Sequence, residues 1–251
     1  MGYKFDMIKM LLKRTNPAFK KQIKITLIDG KKVKYAQIDN QTPTVVFENG
    51  FGVGMRFWDE VFLEISKTNS VFAYNRQDNR VLKDKIMPSD MVKYLRNILK
   101  DRGIKPPYLL VGHSLGGLNA QYFAKKYPQE VVGVVLVDTS HPKDFEDTSL
   151  IPKSQFKVFA HLDKCGQEIL DLQDIKEIPM IALVSTYESS IHKYPKKMIP
   201  HIEAMKKRME TFPNLYPRCG LRWVDSGHFI MYEKPEVVID AVNNIISIID
   251  E

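Results

Sequence analysis

Apolar positions along the chain fall into short, fully apolar runs that alternate with segments of helical spacing. "IKITLI" and "KVKYAQI" alternate apolar and polar residues on either side of Asp29-Gly30, which predicts a β-hairpin over residues 23–38. "TVVF" (44–47), "SVFAY" (70–74), residues 107–112, "VVGVVLV" (131–137) and "MIALVS" (180–185) read as strands covered on both sides, and "LRW" with Val224 makes a last strand. Between them, Phe57, Val61, Phe62 and Ile65 recur at near-helical spacing over 56–67. Further helices are expected at about 89–102 (closed by Gly103), 115–127, 196–210 and 235–249. The last puts Val238, Ala241, Val242, Ile245 and Ile249 on one side. Residues 139–178 break the rhythm: they are polar, mixed in character and hold no strong strand.

Alternating strands and helices after a leading hairpin predict an α/β fold. Its sheet is mostly parallel with helices on both faces, the hairpin forming an antiparallel edge. The 139–178 segment then reads as an insertion after a central strand. Length (251 residues) suits a single domain over 1–251 with a sizeable core.

Composition narrows the class only slightly. Apolar content of 44% and charged content of 27% are those of an ordinary globular protein. The net charge of +7 is spread over scattered lysine pairs with no nucleic-acid motif beside them, so a Lys-rich surface is the simplest reading. No apolar run is long enough to span a bilayer, so no stable membrane insertion is expected. The opening "MGYKFDMIKMLLKRTNP" lacks a cleavage signature, and Asp6 stands where a myristoylation signal after Gly2 wants Ser or Thr. Cys165 and Cys219 form no metal-binding or disulfide spacing, which fits a reducing, cytoplasmic setting.

The chemistry-bearing stretch is "YLLVGHSLGGLNAQYFAKKYP", from Tyr108 to Pro128. A strand runs into Gly112-His113-Ser114-Leu115-Gly116 and a helix follows, the strand–turn–helix setting of a nucleophile elbow. Gly112 and Gly116 are expected to remove side chains that would collide with a strained Ser114. The helix N-terminus supplies free N–H groups for a developing negative charge. A serine nucleophile needs a base. His228, in "VDSGHFIMYEKPE", falls between the last strand and the last helix, on the same sheet edge. His113 should point away from the serine. His141, His161 and His192 fall in the insertion or adjoining loops and read as exposed or substrate-facing, and His201 as solvated. An orienting carboxylate comes from Asp138, at the end of "VVLVD", or from Glu188, after strand 180–185. The fixed position of Asp138 on a buried strand favours it. The glycine-rich "ENGFGVG" (48–54) offers the N–H of Phe51, next to Gly50, as partner to the N–H of Leu115 in an oxyanion hole. Phe51, Phe57, Trp58, Phe145, Phe156 and Phe159 are the apolar candidates for an acyl pocket, although ordinary packing is the commoner role for each.

With those residues in place, the chain resembles the α/β-hydrolase superfamily, closest to its lid-bearing esterase, lipase and aminopeptidase-like members. The resemblance runs from "TVVFENGFG" through "FWDEV", "VFAYNR", the elbow, "VVGVVLVDTSHP" and "IPMIALVS" to "VDSGHFIMYEKPE". It implies an eight-stranded sheet, a lid at about 139–178 after the sixth strand, Ser114 as nucleophile, His228 as base, and Phe51 with Leu115 as oxyanion donors. Most of the superfamily places the acid where Glu188 stands, and some relatives place it at the Asp138 position. Three departures stand out: Asn49-Gly50 replaces the usual His-Gly, "YNRQDNRV" replaces a glycine turn, and the usual G-x-x-D after strand 180–185 is missing.

The activity so implied is a carboxylesterase that acts on a small acyl substrate with no metal or organic cofactor. Two alternatives stay open. An aminopeptidase-like enzyme would need lid carboxylates, for which Asp144, Glu146 and Asp147 are available. A binding protein on a hydrolase scaffold needs no chemistry at all.

Overall fold

The computed structural model describes residues 14–76, 87–144, 156–194 and 196–250, with backbone alone at 156–162, 193 and 197. The expectations for the N-terminal leader and Gly2, and for Phe145, Glu146 and Asp147, lie outside the described residues. So do the side chains of Phe156, Phe159 and His161.

Eight strands form one sheet. After the short helix α1 (Pro17–Gln22), β1 (Ile23–Ile28) and β2 (Lys31–Ile38) make the hairpin. Asp29 and Gly30 both take positive φ (49° and 74°), as a two-residue turn of this hand requires. There follow β3 (Gln41–Glu48), a 3₁₀ turn (Met55–Trp58), α2 (Asp59–Ile65), β4 (Asn69–Tyr74), α3 (Pro88–Asp101), β5 (Tyr108–His113), α4 (Leu115–Lys126), β6 (Val131–Val137), α5 (Phe156–Leu170) and β7 (Met180–Ser185). The chain closes with α6 (Ile199–Met209), α7 (Phe212–Leu215), β8 (Cys219–Val224), α8 (Ile230–Glu233) and α9 (Pro235–Asp250). The strand order is β1-β2-β4-β3-β5-β6-β7-β8. The β1–β2 and β2–β4 pairings are antiparallel and all others parallel.

Alternate residues of each central strand feed two cores, which is why those strands read as unbroken apolar runs. Leu110, Val134 and Leu136 pack with Leu95 and Ile98 of α3 and Leu118 and Phe123 of α4. Leu109, Val111, Val135 and Val137 pack on the opposite face with Phe62 of α2 and Val238, Val242 and Ile245 of α9. Helix α4 sits at the centre, and every residue from Leu115 to Lys125 is buried.

The structure moves some expected boundaries. The helix expected at 56–67 opens as the 3₁₀ turn, and the one expected at 196–210 starts its α-helical part at Ile199. Pro200 fits only a first turn, so it fixes that start. Helix α5 lies within the 139–178 segment, which reads as polar, mixed in character and without a strong strand. Its sequence does carry helical spacing (Phe159, Leu162, Cys165, Ile169), diluted by Lys157, His161, Asp163, Lys164 and Gly166. Cys165 and Ile169 are buried against the α3–α4 side. Among the described residues, no helix is long and apolar enough to cross a membrane.

Candidate active site

Parallel strands deliver their carboxyl ends to one edge of the sheet, and the candidate residues collect there. Strand β5 ends at His113. The next residue, Ser114, adopts φ 52° and ψ −121°, a region that L-residues occupy only under constraint. Its N–H donates to Val137 O (3.2 Å), and its carbonyl accepts from Gly117 N–H (2.9 Å). Serine is a favoured helix N-cap, yet the Ser114 hydroxyl makes no capping bond to α4. The hydroxyl is therefore not spent on holding the helix.

The two flanking glycines act differently from the expectation. A Cβ at Gly112 would lie 2.5 Å from Gly116 O and 2.8 Å from Gly117 Cα. A Cβ at Gly116 would lie 2.4 Å from Glu48 O and 2.5 Å from Asn49 O. The collisions are with backbone, not with Ser114. Glycine here lets the start of α4 press against β5 and against the end of β3. That contact brings the N-terminus of α4 beside the loop after Glu48.

His228 stands on the loop between β8 and α8. Its Nδ1 lies 2.6 Å from Asp138 Oδ2. Asp138 follows β6 with φ 42°, and its N–H donates to Leu183 O on β7 (2.8 Å). Its other oxygen accepts from Ser185 N–H (2.9 Å), and Oδ2 also accepts from the Tyr187 hydroxyl (2.6 Å). Burial alone would push this carboxyl up. The bonds from His228, Tyr187 and Ser185 outweigh it and hold Asp138 below the usual carboxylate range. An ionised carboxylate on Nδ1 makes Nδ1 the protonated nitrogen and leaves Nε2 as the basic one. The loop is fastened by Ser185 Oγ to Gly227 O (2.7 Å) and Gly227 N–H to Glu233 (2.9 Å).

Glu188 is exposed, and the carboxylate on the imidazole is that of Asp138. What the loop after β7 sends to the site is the neighbouring Tyr187, held at φ 61°. Sequence reasoning missed this tyrosine because it looked there for a carboxylate.

His113 is fully buried and turned away from solvent. Its Nε2–H donates to His228 O (2.8 Å), and the two rings lie 4.6 Å apart between centroids. Burial, with His228 close by, pushes its pKa down to about 3, so it stays neutral. Of the two readings for His141, exposed or substrate-facing, its burial removes the first. Its Nδ1 accepts from the Lys143 backbone N–H (3.0 Å), and the His141 backbone N–H donates to Asp144 Oδ2 (2.6 Å). Asp144 is also buried, pairs with Arg208 (3.2 Å) and is raised by burial to about 7. His192 is exposed and His201 half-buried.

In the loop from Glu48 to Gly54, Phe51 is exposed and Gly50 lies against the elbow. A Cβ on Gly50 would lie 2.6 Å from His113 Nδ1 and 3.3 Å from Ser114 Cβ. Trp58 corrects the pocket expectation. It is completely buried, packs on Phe47 (5.2 Å) and donates its indole N–H to Asn49 Oδ1 (3.0 Å). Asn49 in turn donates to Tyr74 O (2.5 Å). Trp58 supports the loop rather than facing a substrate, because an indole N–H in a core needs a partner. Phe57 is also buried, between Phe229 and Tyr232.

A family model described as alpha/beta hydrolase fold matches residues 43–162, from β3 into α5. Outside that span, the β1–β2 hairpin and the parallel strands β7 and β8 complete the same sheet. The chain has the α/β-hydrolase fold. Among its relatives is the uncharacterized protein YbdG of Bacillus subtilis. The two are 29% identical over 136 residues, which are 52% of this chain and 42% of YbdG. The chain thus spans less than half the length of the curated relatives it matches. The mouse alpha/beta hydrolase domain-containing protein 10 superposes with a TM-score of 0.68 at 15% identity, over 90% of this chain and 98% of that one. The epoxide hydrolase CorEH superposes with a TM-score of 0.59 at 14% identity, with the same coverage. At such identities the likeness is one of fold, and the chemistry of this chain rests on its own residues.

Proposed function

We propose that the protein is a serine hydrolase that cleaves carboxylic esters through an acyl-enzyme on Ser114. The family supports a hydrolase. The observation that carries the finer reading is the 2.6 Å contact of Asp138 with His228 Nδ1, on the sheet edge where Ser114 is held in strained geometry and its hydroxyl makes no capping bond to the helix. In this reading His228 Nε2 takes the Ser114 proton as the oxygen attacks the ester carbonyl. The oxyanion is met by the N–H groups of Leu115 and Phe51. The alcohol leaves with the proton from His228, and His228 then activates water to release the acid. Asp138 holds the tautomer and faces the positive charge that forms on the ring. The 139–178 segment serves as the lid in this account. It leaves the sheet at Asp138, and Thr139 Oγ1 meets Ser114 O at 3.4 Å.

Epoxide opening, the activity named for CorEH, is a poor fit to this nucleophile. A serine oxygen attacking an epoxide carbon would leave an ether, which water activated by histidine does not cleave. An acyl group on the same oxygen is an ester, which it does. The aminopeptidase reading loses one of its three carboxylates, because Asp144 is already committed to His141 and Arg208.

A panel of p-nitrophenyl esters and aminoacyl p-nitroanilides separates the readings. The expected outcome is turnover of esters with little or none of the anilides. Faster turnover of the anilides would favour the peptidase, and turnover of neither would favour a binding protein.

A further inference from the structure

Beneath the Gly50 loop lies a charged group that the proposed chemistry does not use directly. The Arg76 Nη1 and Glu48 Oε2 atoms are 2.8 Å apart, and their side chains are 1% and 2% exposed. Glu48 also accepts from the Tyr74 hydroxyl and from Asn119 Nδ2 (3.1 Å). The second arm of Arg76, Nη2, donates to Gly50 O (2.9 Å). Burying a full ion pair costs desolvation that its own attraction repays poorly, so stability alone is a weak reason for it. Its geometry suggests another. In a trans peptide the C=O and the next N–H point in opposite directions. A guanidinium gripping Gly50 O therefore fixes the Phe51 N–H on the side away from Arg76, and a charged donor on the carbonyl polarises that N–H. The other end of the cluster reaches α4 through Asn119, the helix that begins with Leu115. Glu48 thus ties together the two backbone segments that carry the two oxyanion donors.

We infer that Arg76, held by Glu48, is a positioning residue that aims the Phe51 N–H at the oxyanion formed on Ser114. This rests on the serine-hydrolase reading. Sequence alone gave no sign of it, since Glu48 and Arg76 stand 28 residues apart.

Two variants test it. Arg76→Lys keeps a positive charge near Glu48, but a single ammonium lacks the planar fork that spans both acceptors. Arg76→Met combined with Glu48→Gln removes both charges, so neither is left buried and unpaired. For each, kcat and KM are measured on an ester that the wild type cleaves, together with the rate of Ser114 labelling by a fluorophosphonate and the melting temperature. Loss of a whole oxyanion donor costs about 10²–10³ in kcat, so misaiming one is expected to cost about 10- to 100-fold. The labelling rate should fall with kcat, while KM and melting temperature stay near wild type. Wild-type kcat in both variants would overturn the inference, as would losses that appear only when the protein melts early. If the double variant does not fold, Arg76→Lys decides alone. If the wild type itself neither cleaves esters nor labels at Ser114, the hydrolase reading has failed and takes this inference with it. The wild-type control therefore tells the two failures apart.

Discussion

Ser114→Ala is expected to lower ester hydrolysis by about a million-fold, the loss seen when one member of a triad acting as a unit is removed. What remains is whatever the oxyanion donors and substrate binding supply alone. The fold should persist. The hydroxyl makes no capping bond, and the contacts that hold this residue at φ 52° are backbone ones, to Val137 O and from Gly117 N–H. Alanine has the same Cβ and so meets the same strain. Kinetics on the best ester substrate, with a thermal melt of the same preparation, check both halves. Near-wild-type turnover on every ester would show that the chemistry lies elsewhere.

Asp138→Asn is expected to cost about 10⁴ in kcat and leave the fold largely intact. An Asn carbonyl can still accept from Ser185 N–H or the Tyr187 hydroxyl. Its amide, turned toward the imidazole, would donate to Nδ1 and force the proton onto Nε2. Histidine in that tautomer cannot accept the Ser114 proton. It also loses the negative charge that would face the imidazolium. Glu188→Gln, made alongside, should leave kcat near wild type, because that carboxylate is exposed and does not hold the ring. The paired kinetics read out which carboxylate matters. A large loss in Glu188→Gln with little in Asp138→Asn would reverse the assignment.

The sheet was legible in the sequence because each central strand feeds two cores and so has no polar face to confuse it. Val131–Val137 and Met180–Ser185 stand where the apolar runs lie. The hairpin was equally plain from Asp29-Gly30. Helix α5 was not, because charged residues interrupt its apolar stripe and Gly166 looks like a breaker. In the fold that glycine serves a close approach instead, since a Cβ there would lie 1.8 Å from Pro142 O.

At the candidate site, local signals placed Ser114 and His228 on one edge. The strand–turn–helix context of the first and the position of the second after the last strand suffice for that. Long-range polar partnerships were hidden. Tyr187 reaches Asp138 across 49 residues of chain, and Arg76 reaches Gly50 across 26. Neither leaves a periodic or motif-like trace. For Trp58 the sequence leaves a pocket role and ordinary packing side by side, because a large aromatic next to a glycine-rich loop looks the same whether it lines a pocket or props the loop from behind; its burial selects packing.

The most direct test of the account is the site of covalent capture. The protein is treated with a fluorophosphonate, digested and sequenced by tandem mass spectrometry, with His228→Ala treated in parallel. The account predicts a single rapid phosphonyl adduct on Ser114 in the wild type and a strongly slowed one in His228→Ala. An adduct on another residue, none at all, or equally fast labelling of Ser114 without His228 would contradict it.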